Sequence, residues 1–193
     1  MRRLGIQLTG EITPSYGALS IRTLTEIKAN FEPRKICMRP VFLMRDPIER
    51  IISNQRMKLR KQNQLNHEAE VEALRQLCVE QPEMVTLRSD YGHTLRALSQ
   101  VFDPSDCFID LYERLFTPAS WQRLCDVLNV PYEQPEWEQQ VNVSRTNTPI
   151  PDEVLAELGA WQAPTFAAVC QTMDHLDLAQ LWPLAHRWCE ELS

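Results

Sequence analysis

Residues 41–53 read VFLMRDPIERIIS, and this stretch decides the fold of the 193-residue chain. The continuous apolar run at 41–44 predicts a short buried strand. Asp46 follows as a helix N-cap, with Pro47 at the first helical position and Glu49 placed for a capping box. A buried strand that leads directly into a capped helix is typical of an α/β fold.

Helices and strands continue to alternate on both sides of this stretch. Apolar spacing predicts a helix at 20–31, a second helix around 86–101, and a second buried strand at 107–111 (CFIDL). Thr117-Pro118 predicts the start of a further helix that ends near Asn129. Strands separated by helices predict an α/β fold with a mainly parallel sheet.

The remaining segments are less regular in pattern. The polar stretch 62–72 predicts an exposed excursion, and 131–150 predicts irregular chain. The last part predicts two or three short helices, whose expected core anchors are Trp161, Phe166, Trp182 and Trp188.

Length and composition predict a single domain over 1–193, since 44% of the residues are hydrophobic. The sequence holds no run of eighteen apolar residues, so we expect an unanchored protein with no membrane partner. The six cysteines are scattered without a CxxC pair, which favours reduced thiols and a cytoplasmic location. The four histidines lack metal-ligand spacing, so no metal site is expected.

Charge is unevenly distributed along the chain. Residues 1–62 carry 13 Lys+Arg against 5 Asp+Glu, whereas 63–193 carry 7 against 21. The first half is therefore where an anion is expected to bind. Four basic residues of this half are interpreted as a solvated helix face: Arg56, Lys58, Arg60 and Lys61. Overall acidity, and the lack of a basic stripe with interleaved aromatics, argue against nucleic-acid binding.

Two side chains of the opening stretch could hold a phosphate. Arg45 stands at the carboxyl end of the predicted strand, where ligands of open α/β sheets bind, and Ser53 lies on the helix that follows. A guanidinium fork and a hydroxyl can grip the same anion. Asp46 would already satisfy the free N–H groups of the helix, so side chains must do the binding. From the residues alone, a simple pairing of Arg45 with a nearby acid remains equally open.

Several segments carry a resemblance to a known family when they are taken in order. They are Arg45-Asp46-Pro47 with a serine eight residues after the arginine, GEITPSY at 10–16, Ser89-Asp90-Tyr91 with Leu95, Tyr112-Glu113-x-Leu115, LCDVLNVP at 124–131, and VNVS at 141–144. In this order they resemble the sulfotransferases that use 3′-phosphoadenosine 5′-phosphosulfate (PAPS), in the heparan-type and bacterial branch, over about residues 8–190.

The resemblance implies roles for five residues. Arg45 and Ser53 would hold the 3′-phosphate of the nucleotide, which is the co-substrate. Tyr91 would lie near the nucleotide, although a core aromatic on a helix face is an equal alternative. Arg145 would lie near the same phosphate, against the alternative of a solvated loop arginine. Glu11 would line the acceptor cleft as a base or acceptor contact, against the alternative of a carboxylate held by neighbouring backbone.

The family's K-x-G-(T/S)-(T/S) phosphosulfate loop is not found in this sequence. The resemblance therefore implies a P-loop-NTPase-like parallel sheet flanked by helices, N-terminally truncated and lacking the first strand and that loop. We expect an enzyme that transfers a sulfuryl group from PAPS to the hydroxyl or amine of a small-molecule or carbohydrate acceptor, impaired as this chain. An unpaired sheet edge predicts self-association.

Two other functions compete with this expectation. One is a non-catalytic nucleotide-binding or interaction module derived from a sulfotransferase. The other is a nucleotide or small-molecule kinase, which ranks last because a G-x4-GK(S/T) sequence is absent.

Overall fold

The computed structural model of the protein describes residues 8–137 and 149–190. Helices dominate this part of the chain, and two short strands form a small sheet. The strands are β1 (Val41–Met44) and β2 (Phe108–Leu111). The α-helices are α1 (Ile21–Phe31), α2 (Pro47–Lys61), α3 (His67–Glu80), α4 (Glu83–Ser89), α5 (Tyr91–Val101), α6 (Tyr112–Leu115), α7 (Pro118–Leu128), α8 (Asp152–Thr172), α9 (Leu178–Leu181) and α10 (Pro183–Glu190), with 3-10 helices at Pro14–Ala18, Glu32–Arg34 and Pro104–Asp106.

The two strands are parallel, and their register pairs Val41 with Phe108 and Met44 with Leu111. Parallel strands need a long crossover between them, and α2 to α5 provide it. The protein is therefore mostly helical with an α/β core of two parallel strands. Among the described residues β1 pairs only with β2, so its other edge has no strand partner.

The junction of β1 and α2 has the predicted N-cap and proline, but within the described chain the Glu49 carboxylate pairs with Arg45 and does not complete the predicted capping box. Asp46 is 1% exposed, and its Oδ1 accepts hydrogen bonds from the backbone N–H groups of Ile48 (2.9 Å) and Glu49 (3.1 Å). Pro47 occupies the first position of α2, where its missing N–H costs nothing. The second carboxylate oxygen of Asp46 accepts from the N–H of Ala185 at 2.9 Å. One buried carboxylate thus fixes both the start of α2 and the position of α10.

The core lies where α2, α3 and α5 pack against α8 and α10. Trp182 is fully buried at its centre, and Phe166 and Trp188 are buried with it. These three expected anchors are confirmed, while Trp161 lies partly buried at the edge of the cluster. Gly159 of α8 faces the backbone of Trp188, where an added Cβ would lie 2.2 Å from the carbonyl oxygen.

The predicted exposed excursion at 62–72 is wrong in its second half, because α3 begins at His67. Asn66 caps this helix, and Glu70 on its first turn is 1% exposed. Arg56 of α2 donates to that carboxylate, so Arg56 is not part of a solvated face as the sequence suggested. A buried ion pair between two helices has no signature in a one-dimensional pattern.

Two other element predictions need correction. The helix expected at 86–101 is divided between α4 and α5, because Asp90 leaves helical geometry and caps α5 through the N–H of His93. The last part contains a 21-residue helix, α8, rather than short pieces only. Pro164 lies inside this helix, where residues on both sides of it are buried, and this packing maintains the helix.

Within 8–137 and 149–190, no helix is both long and apolar enough to cross a bilayer. All six cysteines fall in these ranges, and each is a free thiol. The same ranges contain no cluster of three or more histidine, cysteine, aspartate or glutamate side chains that could hold a metal ion.

Candidate functional site

Arg45 is the first residue after β1, at the carboxyl end of the sheet. Its side chain is 38% exposed, and Nη2 donates to Glu49 Oε2 at 3.0 Å. The ring centroid of Tyr112 lies 5.7 Å from the guanidinium carbon, within the range of a cation–π contact. The charge of Arg45 is therefore held at the surface, where a dissolved anion can reach it.

Glu49 and Ser53 lie one helical turn apart and share a face of α2. Arg45 lies just before the helix, and its guanidinium contacts Glu49 on this face. Ser53 is exposed. Arg45 and Ser53 therefore lie on the same side of the sheet edge and are not enclosed by apolar walls. The carboxylate of Glu49 stands between them, so an anion bound by both would compete with Glu49 for the guanidinium.

The N-terminus of α2 does not contribute an anion site of its own. Its N–H groups at Ile48 and Glu49 already bond to Asp46. Desolvation raises the pKa of Asp46 above its ordinary value, although the hydrogen bonds from Ala185, Glu49 and Ile48 partly oppose that shift. Any anion at this edge must therefore be held by side chains, as the sequence predicted.

Tyr91 does not face the surface. Its side chain is 3% exposed, and its hydroxyl donates to the backbone carbonyl of Arg45 at 2.9 Å. The ring packs edge-on against Phe42 of β1, with centroids 5.8 Å apart, and lies 6.2 Å from the ring of Trp182. Desolvation raises the pKa of the Tyr91 phenol. Tyr91 is a positioning residue that holds the backbone of Arg45, which corresponds to the core-aromatic alternative.

An aromatic cluster beside Arg45 was not singled out from the sequence as part of the site. Tyr112 and Phe116 are 43% and 52% exposed, and their ring centroids are 5.1 Å apart in an edge-to-face contact. Trp137 and Trp121 continue the cluster, with centroid distances of 6.3 Å from Phe116 to Trp137 and 6.1 Å between the two tryptophans. Exposed aromatic rings of this kind are surfaces on which a planar ring system such as a nucleobase can stack.

Strand register is the signal that could have identified Tyr112. Met44 pairs with Leu111, so Arg45 and Tyr112 are the residues that follow two paired positions. Side chains that follow neighbouring parallel strands meet at the same edge of the sheet. Two strands predicted from the sequence, placed side by side in parallel, would have brought these two residues together.

Glu11 lies in exposed chain just before the 3-10 helix Pro14–Ala18. Its Oε1 accepts from the Thr13 hydroxyl at 2.9 Å, and a hydrogen bond with Glu11 raises the pKa of the Tyr16 phenol. Its contacts within the described chain are therefore with its own segment. Arg145, the fifth residue singled out from the sequence, lies outside the described residues.

The sequence matches no protein-family model and no curated protein, and the structure matches no solved structure. Function must therefore be argued from the side chains at the carboxyl edge of the sheet.

Proposed function

We propose that the protein binds a 3′-phosphoadenosine nucleotide at the carboxyl end of β1 and acts as a PAPS-dependent sulfotransferase. One observation carries the proposal: the partly exposed side chain of Arg45 precedes α2 and pairs with Glu49, and the exposed Ser53 lies one helical turn beyond Glu49. The P-loop-NTPase-like arrangement suggested by the sequence motifs belongs to the same proposal. The two parallel strands and the capped helix between β1 and the crossover are consistent with it.

Phosphate binding at this site is an exchange of partners. In the free protein Arg45 pairs with Glu49. The 3′-phosphate would take that place with two N–H donors of the guanidinium, and Ser53 would add a hydroxyl donor. A phosphate carries up to two negative charges and three acceptor oxygens, so it can outcompete a single carboxylate. Asp46 and Tyr91 would keep the backbone of Arg45 fixed during this exchange.

The aromatic cluster supports the nucleoside part of the proposal. Tyr112 lies against the guanidinium of Arg45, and Phe116 extends the exposed aromatic surface away from it. A purine that stacks on these rings would place its ribose phosphate toward Arg45. Stacking of a base on an aromatic side chain contributes about 1–3 kcal/mol in single-stranded nucleic-acid complexes.

The transfer step needs a sulfuryl group, which PAPS supplies when it is bound. An acceptor oxygen or nitrogen would form a bond to sulfur while the bond from sulfur to the 5′-phosphate oxygen breaks, leaving adenosine 3′,5′-bisphosphate. The acceptor proton would pass to a base, for which Glu11 is the candidate of this chain. Its carboxylate would have to exchange its Thr13 hydrogen bond for one with the acceptor.

A non-catalytic nucleotide-binding or interaction module is the second candidate. The absence of a K-x-G-(T/S)-(T/S) sequence favours it, because that loop would hold the 5′-phosphosulfate. The free edge of β1 favours it as well, since unpaired backbone groups can take up a strand from another chain.

Calorimetric titration with adenosine 3′,5′-bisphosphate tests the nucleotide site. Loss of a charge-assisted pair costs about 2 kcal/mol, so Arg45→Ala should weaken binding about 30-fold. Ser53→Ala removes a neutral donor and should weaken it about fivefold. Arg60→Ala, an exposed arginine on the same helix, is the matched control and should bind like wild type.

Adenosine 5′-phosphate, which lacks the 3′-phosphate, provides the second control. Its affinity should be the same for wild type and Arg45→Ala. If Arg45→Ala binds the bisphosphate as tightly as wild type, the site assignment is wrong. Turnover of radiolabelled PAPS with hydroxyl and amine acceptors then separates the two candidates. Tight nucleotide binding without sulfuryl transfer would favour the non-catalytic module.

A further inference from the structure

A second cationic site lies on the neighbouring side of α2, where that helix meets α4 and the 3-10 helix Pro14–Ala18. Arg50 of α2 is partly buried there, and one of its Nη groups donates to the Ser89 hydroxyl. Arg88 of α4 is exposed and donates from Nη2 to the Ser15 hydroxyl at 2.9 Å. Because Arg88 and Ser89 are neighbours on α4, these two hydrogen bonds bring the side chains of Arg50 and Arg88 to the same end of that helix.

Neither guanidinium has a carboxylate partner in the part of the chain that the structure describes. Acids close in sequence have other partners: Glu49 pairs with Arg45, Asp90 caps α5 through His93, and Glu11 accepts from Thr13. Desolvation lowers the pKa of Arg50, and the positive charge of Arg88 lowers it as well, although the interaction with the Tyr91 hydroxyl opposes both. A buried cation beside a second cation is costly unless an anion accompanies them.

Hydrogen-bond donors remain open in the same place. The Nε–H of Arg50 is buried and makes no hydrogen bond to any described residue. The Ser89 hydroxyl accepts from an Nη group of Arg50 and donates to the carbonyl of Val85, and neither of these hydrogen bonds involves the Nε–H group. An unsatisfied buried donor costs about 1–3 kcal/mol, and it is normally explained by a missing partner.

We propose that Arg50, Arg88 and Ser15 form a second oxyanion site that takes a sulfate or phosphate group. A tetrahedral oxyanion offers enough acceptor oxygens to reach both guanidinium forks and the hydroxyl together, and its negative charge compensates the two cations. The site is independent of the nucleotide site, since it does not use Arg45 or Ser53. It would stand even if the protein bound no nucleotide.

Titration of the isotope-labelled protein with sodium sulfate, followed by NMR at constant ionic strength, tests the proposal. The Nε–H resonance of Arg50 should shift in a saturable manner, together with the backbone amides around Arg88. Arg88→Gln should weaken sulfate binding about tenfold, because it removes one charged donor pair from an exposed position. Far-UV circular dichroism confirms that this surface variant is folded.

Two control variants separate a built site from general attraction of anions. Arg75→Gln changes the same charge at an exposed position of α3 and should leave sulfate affinity unchanged. Arg60→Gln, at an exposed position of α2, should also leave it unchanged. The proposal is overturned if the shifts do not saturate, or if Arg88→Gln and Arg75→Gln respond alike. It is overturned too if Arg60→Gln weakens binding as much as Arg88→Gln does.

Further titrations identify the ligand. Inorganic phosphate should compete with sulfate, whereas an equal response to acetate would reject the tetrahedral class. Saturating adenosine 3′,5′-bisphosphate is then added to the sulfate-bound protein. Loss of the sulfate shifts would mean that a nucleotide phosphate fills the second site, and their persistence would mean that a separate anion does. Either result supports the site and identifies the source of its anion.

Discussion

Replacing Glu49 by glutamine should make the protein bind adenosine 3′,5′-bisphosphate more tightly. In the free protein the carboxylate of Glu49 already pairs with the guanidinium of Arg45 at 3.0 Å. Glutamine has nearly the same shape but no charge, so Arg45 would no longer be neutralised. The backbone N–H of residue 49 would still bond to Asp46, so the start of α2 should not change.

The expected gain is about tenfold in affinity. Coulomb's law gives about 1.4 kcal/mol for two charges 3.0 Å apart in water. Because the Arg45 and Glu49 side chains are 38% and 45% exposed, the net value of the pair is at most about 1 kcal/mol. Removing the repulsion between Glu49 and a bound phosphate adds about 0.5 kcal/mol after screening by salt. The two effects together amount to roughly 1.4 kcal/mol, or a factor of ten.

Calorimetry of wild type, Glu49→Gln and Glu68→Gln measures this gain. Glu68 is an exposed acid on α3 and serves as the matched control for the change in net charge. The gain of Glu49→Gln should shrink as ionic strength rises, because both effects are screened. Weaker binding by Glu49→Gln, or the same gain in Glu68→Gln, would show that the nucleotide phosphate does not bind at Arg45.

Three further predictions concern stability and are measured by urea unfolding. Gly159→Ala should destabilise the protein by about 3 kcal/mol or more, because its Cβ would lie 2.2 Å from the Trp188 carbonyl, a backbone atom that cannot move aside. Tyr91→Phe should cost about 1–2 kcal/mol, because it removes the donor to the carbonyl of Arg45. Burial raises the pKa of Asp46, so the folded chain binds more protons than the unfolded chain between the two pKa values. The free energy of unfolding of wild type minus that of Asp46→Asn should therefore fall as pH rises above about 4, and a rise would contradict the assigned burial effect.

Local signals made much of the fold predictable. The apolar run of β1, the cap at Asp46, and the Thr117-Pro118 start of α7 each depend on neighbouring residues, and each is confirmed. The errors arose where contacts with residues distant in the sequence determine burial or helix length. Glu70 is buried because Arg56 reaches it from another helix, and α8 continues through Pro164 because packing surrounds it. Periodicity carries no information about such partners.

The candidate site was predictable to the same extent. Arg45 and Ser53 follow from the strand, the cap and the helical spacing, all within residues 41–53. The sequence did not identify the acid that pairs with Arg45, and the structure shows that it is Glu49. Tyr112 and the pair of Arg50 with Arg88 depend on strand register and on contacts across the fold. Sequence spacing alone could not predict that those residues lie close together.

The hydrogen bond from Ala185 to Asp46 joins residues 139 positions apart. During synthesis the segment that contains Arg45 leaves the ribosome long before α10 does, so a growing chain cannot yet complete this end of α2. Nucleotide binding should therefore begin only after the final helix has emerged and docked. A fusion or cleavage that displaces α10 would therefore impair ligand binding at Arg45, although it does not alter that residue directly.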